Sequence, residues 1–161
     1  MSHRMLTDDA RAALLGAADA EAHRRGRRRI GTEDLLLGLL AEPGGPASVA
    51  LGTDLERARA ASARLDGRAL EAFGIHAEVP PAPPARPARG RRSFTGGARS
   101  AIERSVHLAR RDRASKITAA HLTVGVLSAH EPDDALTLLR EMDVDVPQAL
   151  AAAMEMVDAS S

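Results

Sequence analysis

Cysteine, tryptophan and tyrosine are missing from this 161-residue chain, and Phe73 and Phe94 are its only aromatic residues. Without cysteine there can be no disulfide staple and no thiolate metal site. With so few rings there is no row of aromatics on which nucleobases could stack. The core must therefore come from Leu, Ala, Val and Ile. Alanine and leucine are strong helix formers, whereas the β-branched and aromatic runs that suit strands are lacking. Composition points to an all-helical fold. No stretch approaches the roughly 18 apolar residues of a membrane span. Charged residues (Arg4, Asp8, Asp9 and Arg11) interrupt Met1 to Leu15, where the apolar segment of a signal peptide would stand. The cytoplasm is the expected compartment.

An excess of one charge is also lacking: 22 basic residues balance 22 acidic ones. No overall field pulls the molecule toward DNA or anionic lipid. Lysine is nearly absent, and Lys116, flanked by Ser115 and Ile117, follows no glycine loop. A phosphate-binding loop needs that loop and its lysine, so an ATPase is excluded. The six histidines, His3, His23, His76, His107, His121 and His130, are scattered without metal-ligand spacing. Ser105 and His107 stand two apart on a predicted helix and face different sides. No cofactor, metal or catalytic residue is expected, and the chemistry left open is binding.

What is present is one pattern written twice. Leu6-Thr7 followed by Ala10-Arg11 matches Phe94-Thr95 followed by Ala98-Arg99. At the same offset Leu14 pairs with Ile102 and Ala18 with Val106. Once one residue is dropped from the second copy, Ile30 pairs with Ile117, Leu35 with Leu122, Gly38 with Gly125 and Leu40 with Leu127. Apolar positions and glycines agree while polar ones drift, as expected of a shared core under diverging surfaces. The boundaries read as repeat one over 5–75, a Pro/Arg-rich linker over 76–93 and repeat two over 94–161.

Each copy reads as helices. Thr7 caps a first helix with Ala10, Leu14 and Ala22 on its apolar stripe, ending in the Arg24 to Arg29 run. Thr32 is expected to cap a second, with Glu33 and Asp34 in its first turn, where carboxylates suit the helix dipole. Its body, Leu35 to Leu40, is apolar nearly all round, the mark of a buried helix. Pro43-Gly44-Gly45-Pro46 is a turn. A short helix over 47–51 follows, then one opened by the capping-box pattern at 53–56, and another short one over 68–73 stopped by Gly74. Pro80, Pro81, Pro83, Pro84 and Pro87, with Arg86, Arg89, Arg91 and Arg92, make an extended linker. The second copy restarts at Thr95, with helices near 98–111, 119–128, 134–141 and 147–157, the last capped by Asp145.

Ile30-Gly31-Thr32-Glu33-Asp34-Leu35-Leu36-Leu37-Gly38-Leu39-Leu40 resembles the hallmark segment of the N-terminal repeat of Clp (Hsp100) unfoldases, and Phe94-Thr95 with Ala98-Arg99 resembles the family's repeat opening. The likeness spans both repeats and leaves out the linker. It implies a pseudo-twofold all-α domain of about eight helices, four in each half. By this resemblance the chain is a stand-alone or truncated actinobacterial ClpC N-domain-like protein. It would bind peptide segments, adaptor or substrate proteins of a Clp protease system. In some family members the Thr-Glu of each hallmark segment reads phosphorylated arginine. By position that role falls on Thr32 and Glu33, while the second repeat has Ala119 and Ala120 and is expected to have lost it. A helix N-terminus suits phosphate, and a glutamate suits a guanidinium. The pair reads equally well as a cap and first turn. The resemblance also suggests a surface for cyclic peptide natural products on Arg11, Phe94, Arg99 and Glu103. Against it stand Phe94 as a hydrophobic-staple residue and Arg99 with Glu103 as an i, i+4 pair. Two rival functions follow: sequestration of Clp-targeting antibiotics, and nucleic-acid association through the arginine runs, which the neutral charge disfavours.

Overall fold

Leucine and alanine at three- and four-residue spacing fold into eight helices among the described residues, which in this computed structural model are 5–76 and 92–160. Helix α1 is continuous over three stretches: Asp8–Arg11 and Ala18–Arg24 are α-helical, and Ala12–Ala17 between them is π-helical. After it come α2 (Thr32–Leu40), α3 (Pro46–Leu51) and α4 (Leu55–Ala72). Beyond residue 91 lie α5 (Gly96–Arg111), α6 (Ala119–Leu127), α7 (Asp134–Glu141) and α8 (Val146–Ala159). The expected linker falls outside the described residues except at its two ends, His76 and Arg92–Ser93. None of the described helices is long and apolar enough to cross a membrane.

Two short parallel contacts tie the four helices of one half to those of the other. Strand β1 (Arg29–Ile30) pairs with β2 (Ser93–Phe94), Ile30 opposite Phe94, and Leu6 forms a parallel bridge with Ile117. These are the same contact made twice with the halves exchanged. Thr95 N–H donates to the Ile30 carbonyl at 2.9 Å, and Thr7 N–H donates to the Ile117 carbonyl at 3.0 Å. Short pairings of this kind give little cohesion alone; packing does the rest. Every residue of α2 and every residue of α6 is buried, so each half is built around one enclosed helix. The other helices turn alanines inward, with Ala10, Ala18, Ala22, Ala58, Ala61, Ala98, Ala135 and Ala153 all sealed from solvent. Small side chains at the contacts let helix axes approach closely.

The glycines shared by the two copies mark the closest approaches. A Cβ on Gly38 would lie 2.7 Å from the Ala13 carbonyl oxygen and 2.7 Å from Ala18 N. On Gly125 it would lie 2.4 Å from the Ala101 carbonyl oxygen and 2.1 Å from Ser105 Oγ. Only glycine fits at such crossings. The equivalence also corrects the pairing of Ala18 with Val106: Gly38 sits on Ala18 as Gly125 sits on Ser105, and Ala18 and Ser105 are both sealed while Val106 is half-buried. The residue missing from the second copy is missing inside the π-helical stretch, earlier than the sequence pattern placed it.

Two other expectations change. The helices expected separately after 53–56 and over 68–73 are one helix, α4, of 18 residues, with Gly67 tolerated inside it and Gly74 at φ +73° ending it. Thr32 is the first residue of α2 rather than its cap; Gly31 holds the cap position, and Asp34 Oδ2 accepts from Gly31 N–H at 2.9 Å. Thr95 and Asp145 cap where expected, each accepting an N–H of the first turn. The cap expected from the pattern at 53–56 shifts by one residue, to Asp54, which accepts from Arg57 N–H. Thr7 precedes α1 without a side-chain cap bond, its Oγ1 donating instead to the Ile117 carbonyl at 3.2 Å.

Candidate functional site

Thr32 and Glu33 sit where α1 ends, α2 begins, and α4 and α7 pass. Thr32 is buried, and its Oγ1 accepts from Ala135 N–H of α7 at 3.3 Å. Its methyl lies against Gly97 of α5, where a Cβ would be 3.4 Å away. Glu33 is buried too, and its carboxylate is already engaged. Oε2 lies 2.8 Å from Arg25 Nη1 and 3.3 Å from Arg27 Nη2, while Oε1 accepts from Ser62 Oγ of α4 at 2.7 Å.

Arg25 is the centre of this cluster. Its guanidinium also meets Asp34 at 3.3 Å and Asp66 of α4 at 3.4 Å, with only 7% of its side chain exposed. Burial alone would pull the guanidinium pKa down, but Glu33, Asp66 and Asp34 raise it on balance. For Asp34 burial wins, lifting its carboxyl above the ordinary aspartate range despite the Gly31 N–H and Arg25. The Arg24 to Arg29 run is not a uniformly solvated stretch. Arg24 is bound to Glu21, Arg25 is buried, and Arg27 reaches Glu33 and, at 3.9 Å, Asp134. Arg24, Arg28 and Arg29 are the exposed members. Arg92 closes the same corner from the other half, donating to the Arg27 carbonyl at 3.0 Å and meeting Asp19 at 3.2 Å. No spacing rule could have found Arg25, because its partners are 8, 9 and 41 positions away on two other helices.

The equivalent corner of the second half has a different chemistry. Ala119 and Ala120 are buried, and the Ala119 N–H is held by Asp9 Oδ2 of α1 at 3.3 Å. Those contacts, with others from Thr7 and Ala10, keep the Asp9 carboxyl below its usual range although burial alone would raise it. The position equivalent to Asp9 is Gly97, so the start of α2 receives no such carboxylate from α5. Where the first half pairs Arg25 with Asp34, the second places Asp112 and His121.

The other predicted residues lie on α1, β2 and α5. Phe94 is half-buried and lies beside Ile30, two residues before Thr32. Arg99, on the exposed face of α5, follows it. Arg11 belongs to the opposite crossover, where it bonds Asp8 at 2.9 Å and the Leu6 carbonyl at 3.4 Å. Arg99 and Glu103 are both exposed and form no ion pair among the described residues, so the expected i, i+4 bridge is not made. Glu103 lines a different feature, an open groove of about 630 Å³ between α5, α6 and α8. Its floor is apolar, from Leu108, Val124, Leu150 and Met154, and Glu103 and His107 stand on its rim. A second groove of about 760 Å³, between α3, α4 and α8, is polar and includes Thr53, Arg57, Asp143 and Gln148.

Among solved structures, the chain is similar to the crystal structure of the N-terminal domain of the caseinolytic protease associated chaperone ClpD from Arabidopsis thaliana. The two share 23% identity at a TM-score of 0.70, over 98% of this chain and 97% of that one. It is also similar to a structure from preliminary structural investigations of a malarial protein secretion system, at 10% identity and a TM-score of 0.62, over 96% of this chain and 93% of that one. No family model and no curated protein sequence matches the chain. Its fold is the all-α, Clp N-domain-like one that the repeats implied.

Proposed function

We propose that the chain is a non-catalytic, cytoplasmic protein-binding domain that receives peptide segments of substrate or adaptor proteins in a Clp protease system. The observation that carries this reading is the end-to-end likeness to a Clp chaperone N-terminal domain, which covers both chains almost completely. A fold by itself does not fix a function, so the reading needs a surface, and the groove between α5, α6 and α8 supplies one. An apolar floor with a few polar groups on its rim suits an extended segment that buries alternate side chains and keeps its backbone hydrated. The arginine run gives less support to nucleic-acid association, since much of it is spent on internal ion pairs.

The finer reading of Thr32 and Glu33 as a phosphoarginine site draws support from Gly97, which leaves the start of α2 without the carboxylate that Asp9 brings to α6. Arg25 and Arg27 count against it in the resting state, because they hold the Glu33 carboxylate that a ligand would need.

The test is binding of a fluorescently labelled, permanently unfolded polypeptide such as carboxymethylated lactalbumin, followed by anisotropy. Met154 is partly buried on the groove floor, and Met154→Glu is expected to weaken saturable binding at least ~10-fold, as loss of a central apolar anchor does. Arg57→Ala, in the polar groove, is expected to leave binding unchanged. Absence of saturable binding, or equal affinity for the Met154→Glu protein, would remove the proposal.

A further inference from the structure

The end of α5 and the turn after it carry charge that the fold does not use. Between 103 and 116 stand five cations and two carboxylates, in a chain whose charges balance. Arg110, Arg111, Arg113 and Lys116 are all exposed. Arg111 meets Asp112 at 2.9 Å, whereas Arg110, Arg113 and Lys116 make no ion pair among the described residues. The turn keeps the arginines together: Arg113 N–H donates to the Arg110 carbonyl at 3.2 Å, and Ala114 N–H to the Ala109 carbonyl at 2.9 Å. At the end of α1, by contrast, Arg24, Arg25 and Arg27 are spent on carboxylates of their own half. One or two cations suit the negative end of a helix. Like charges side by side repel, so a larger cluster gives the fold nothing further.

This cluster stands at one end of the apolar groove between α5, α6 and α8. Arg111 lines the groove, and so does Ser100, eleven residues back along α5. That length of helix is about 16 Å, which about five residues of extended chain cover. Glu103 is the one carboxylate among the described lining residues, and it belongs to the Ser100 end. Arg104 also lines the groove, with its Nε on the Gly125 carbonyl at 2.9 Å. Helix α8 brings Leu150 and Met154 and no charge.

Resting on the reading of this groove as a peptide site, we propose that it selects segments whose apolar anchors are flanked on one side by carboxylates. Apolar side chains sit on the floor, and Asp or Glu side chains beside them reach Arg110, Arg111 and Arg113, which set the specificity. A basic side chain in the same place meets like charge, so the cluster rejects basic segments as well as favouring acidic ones. One exposed pair contributes only about 2-fold, yet three together multiply to about 10-fold. Nucleic acid would meet the same cations, but no aromatic ring lines the groove to stack its bases.

The experiment titrates labelled peptides of about six residues, the length the groove spans, with the full chain and follows anisotropy. Each peptide has leucine at two alternate positions and, at one end, a pair of glutamates, glutamines or lysines. Each is made in both sequence directions, and the tighter is scored. At low salt the glutamate peptide is expected to bind at least ~10-fold tighter than the lysine peptide, with the glutamine peptide between them. At about 1 M salt, where screening acts within about 3 Å, the ratio should fall toward one. Combining Arg110→Glu, Arg111→Glu and Arg113→Glu should invert the order, while Met154→Glu weakens all three peptides. If circular dichroism shows the triple variant unfolded, Arg110→Gln with Arg113→Gln breaks no ion pair and is expected to cut the ratio at least ~3-fold. Equal affinity for glutamate and lysine peptides, or a ratio unchanged by these substitutions, would overturn the specificity and leave the groove standing. No saturable binding of any peptide would remove the groove and this inference together. An oligonucleotide that binds tighter than the glutamate peptide, is lost in the triple variant and is kept in Met154→Glu would reassign the cations to phosphate.

Discussion

At the scale of single residues, His121 shows how a side chain suited to a helix start becomes sensitive to pH once it is enclosed. It is 1% exposed, and its Nδ1 lies 3.2 Å from the Thr118 N–H and 2.8 Å from Thr118 Oγ1. Accepting from that N–H leaves the ring proton on Nε2, as inferred from the hydrogen-bond network. Nε2 is buried with no hydrogen-bond partner, as is Asp112 Oδ2. Protonation would need Nδ1, the atom already used for capping, and would put charge in the core at the positive end of a helix. Burial accordingly holds the imidazole below its usual pKa, against a smaller opposing pull from Asp112. A base whose folded pKa lies below its unfolded one stabilises fully above the unfolded value, about 6.5, and loses that contribution as pH falls through it. Glu21 and Asp9, both lowered, lose theirs only in the carboxylate range. Asp34, raised, acts in the opposite sense, taking up its proton earlier in the folded state. We therefore expect the melting temperature of the native protein to fall more steeply between about pH 7 and pH 5 than that of His121→Asn. Asparagine keeps a capping acceptor and does not titrate, and Asp34 cancels in the comparison. Parallel profiles from calorimetry at the two pH values would contradict the assignment.

At the scale of elements, the two opening helices differ by one residue and yet begin and end alike. The stretches of α1 have 4, 6 and 7 residues, and α5 has 16. Thr7 and Thr95 precede them, and Arg25 and Asp112 stop them. A regular helix with one residue more would rotate its second half by about 100° and bury the wrong face. The π-helical stretch absorbs the extra residue, so Ala10 before it and Ala18 and Ala22 after it all remain in the core. Helix α4 offers a simpler test. Gly67 lies within it, and a Cβ there would meet nothing within 4 Å. Glycine in a helix interior costs about 0.5–1 kcal/mol relative to alanine. Gly67→Ala is expected to raise the melting temperature by a few degrees, followed by circular dichroism; a decrease would mean that α4 is not a continuous helix at that point.

At the scale of the whole molecule, stability rests on two equivalent crossings, α2 over α1 and α6 over α5. The atoms that meet a Cβ at Gly38 are backbone atoms of Ala13 and Ala18, so no side chain can move aside and the helices themselves must separate. Overpacking of this kind costs about 1–3 kcal/mol, and more where backbone must move. Gly38→Ala is expected to lower the urea midpoint of unfolding sharply, and Gly125→Ala to do the same, although Ser105 could turn one of its offending atoms away. A midpoint unchanged in either variant would show that the crossing is looser than described.

Read alone, the sequence established the helical class, the twofold repetition and the two buried leucine-rich helices. These follow from composition and from local period, both of which survive without knowing which segments touch. It also located Thr32 and Glu33 at a helix start. It did not reveal that Glu33 is held by Arg25, that α1 carries a π-helical stretch, or that Asp9 meets the start of α6 while Gly97 brings no carboxylate to the start of α2. Those depend on contacts between residues far apart in the chain, and only tertiary packing, which excludes water from Arg25 and sets which carboxylates surround it, decides whether an arginine is a solvated charge or the centre of a buried ion-pair network.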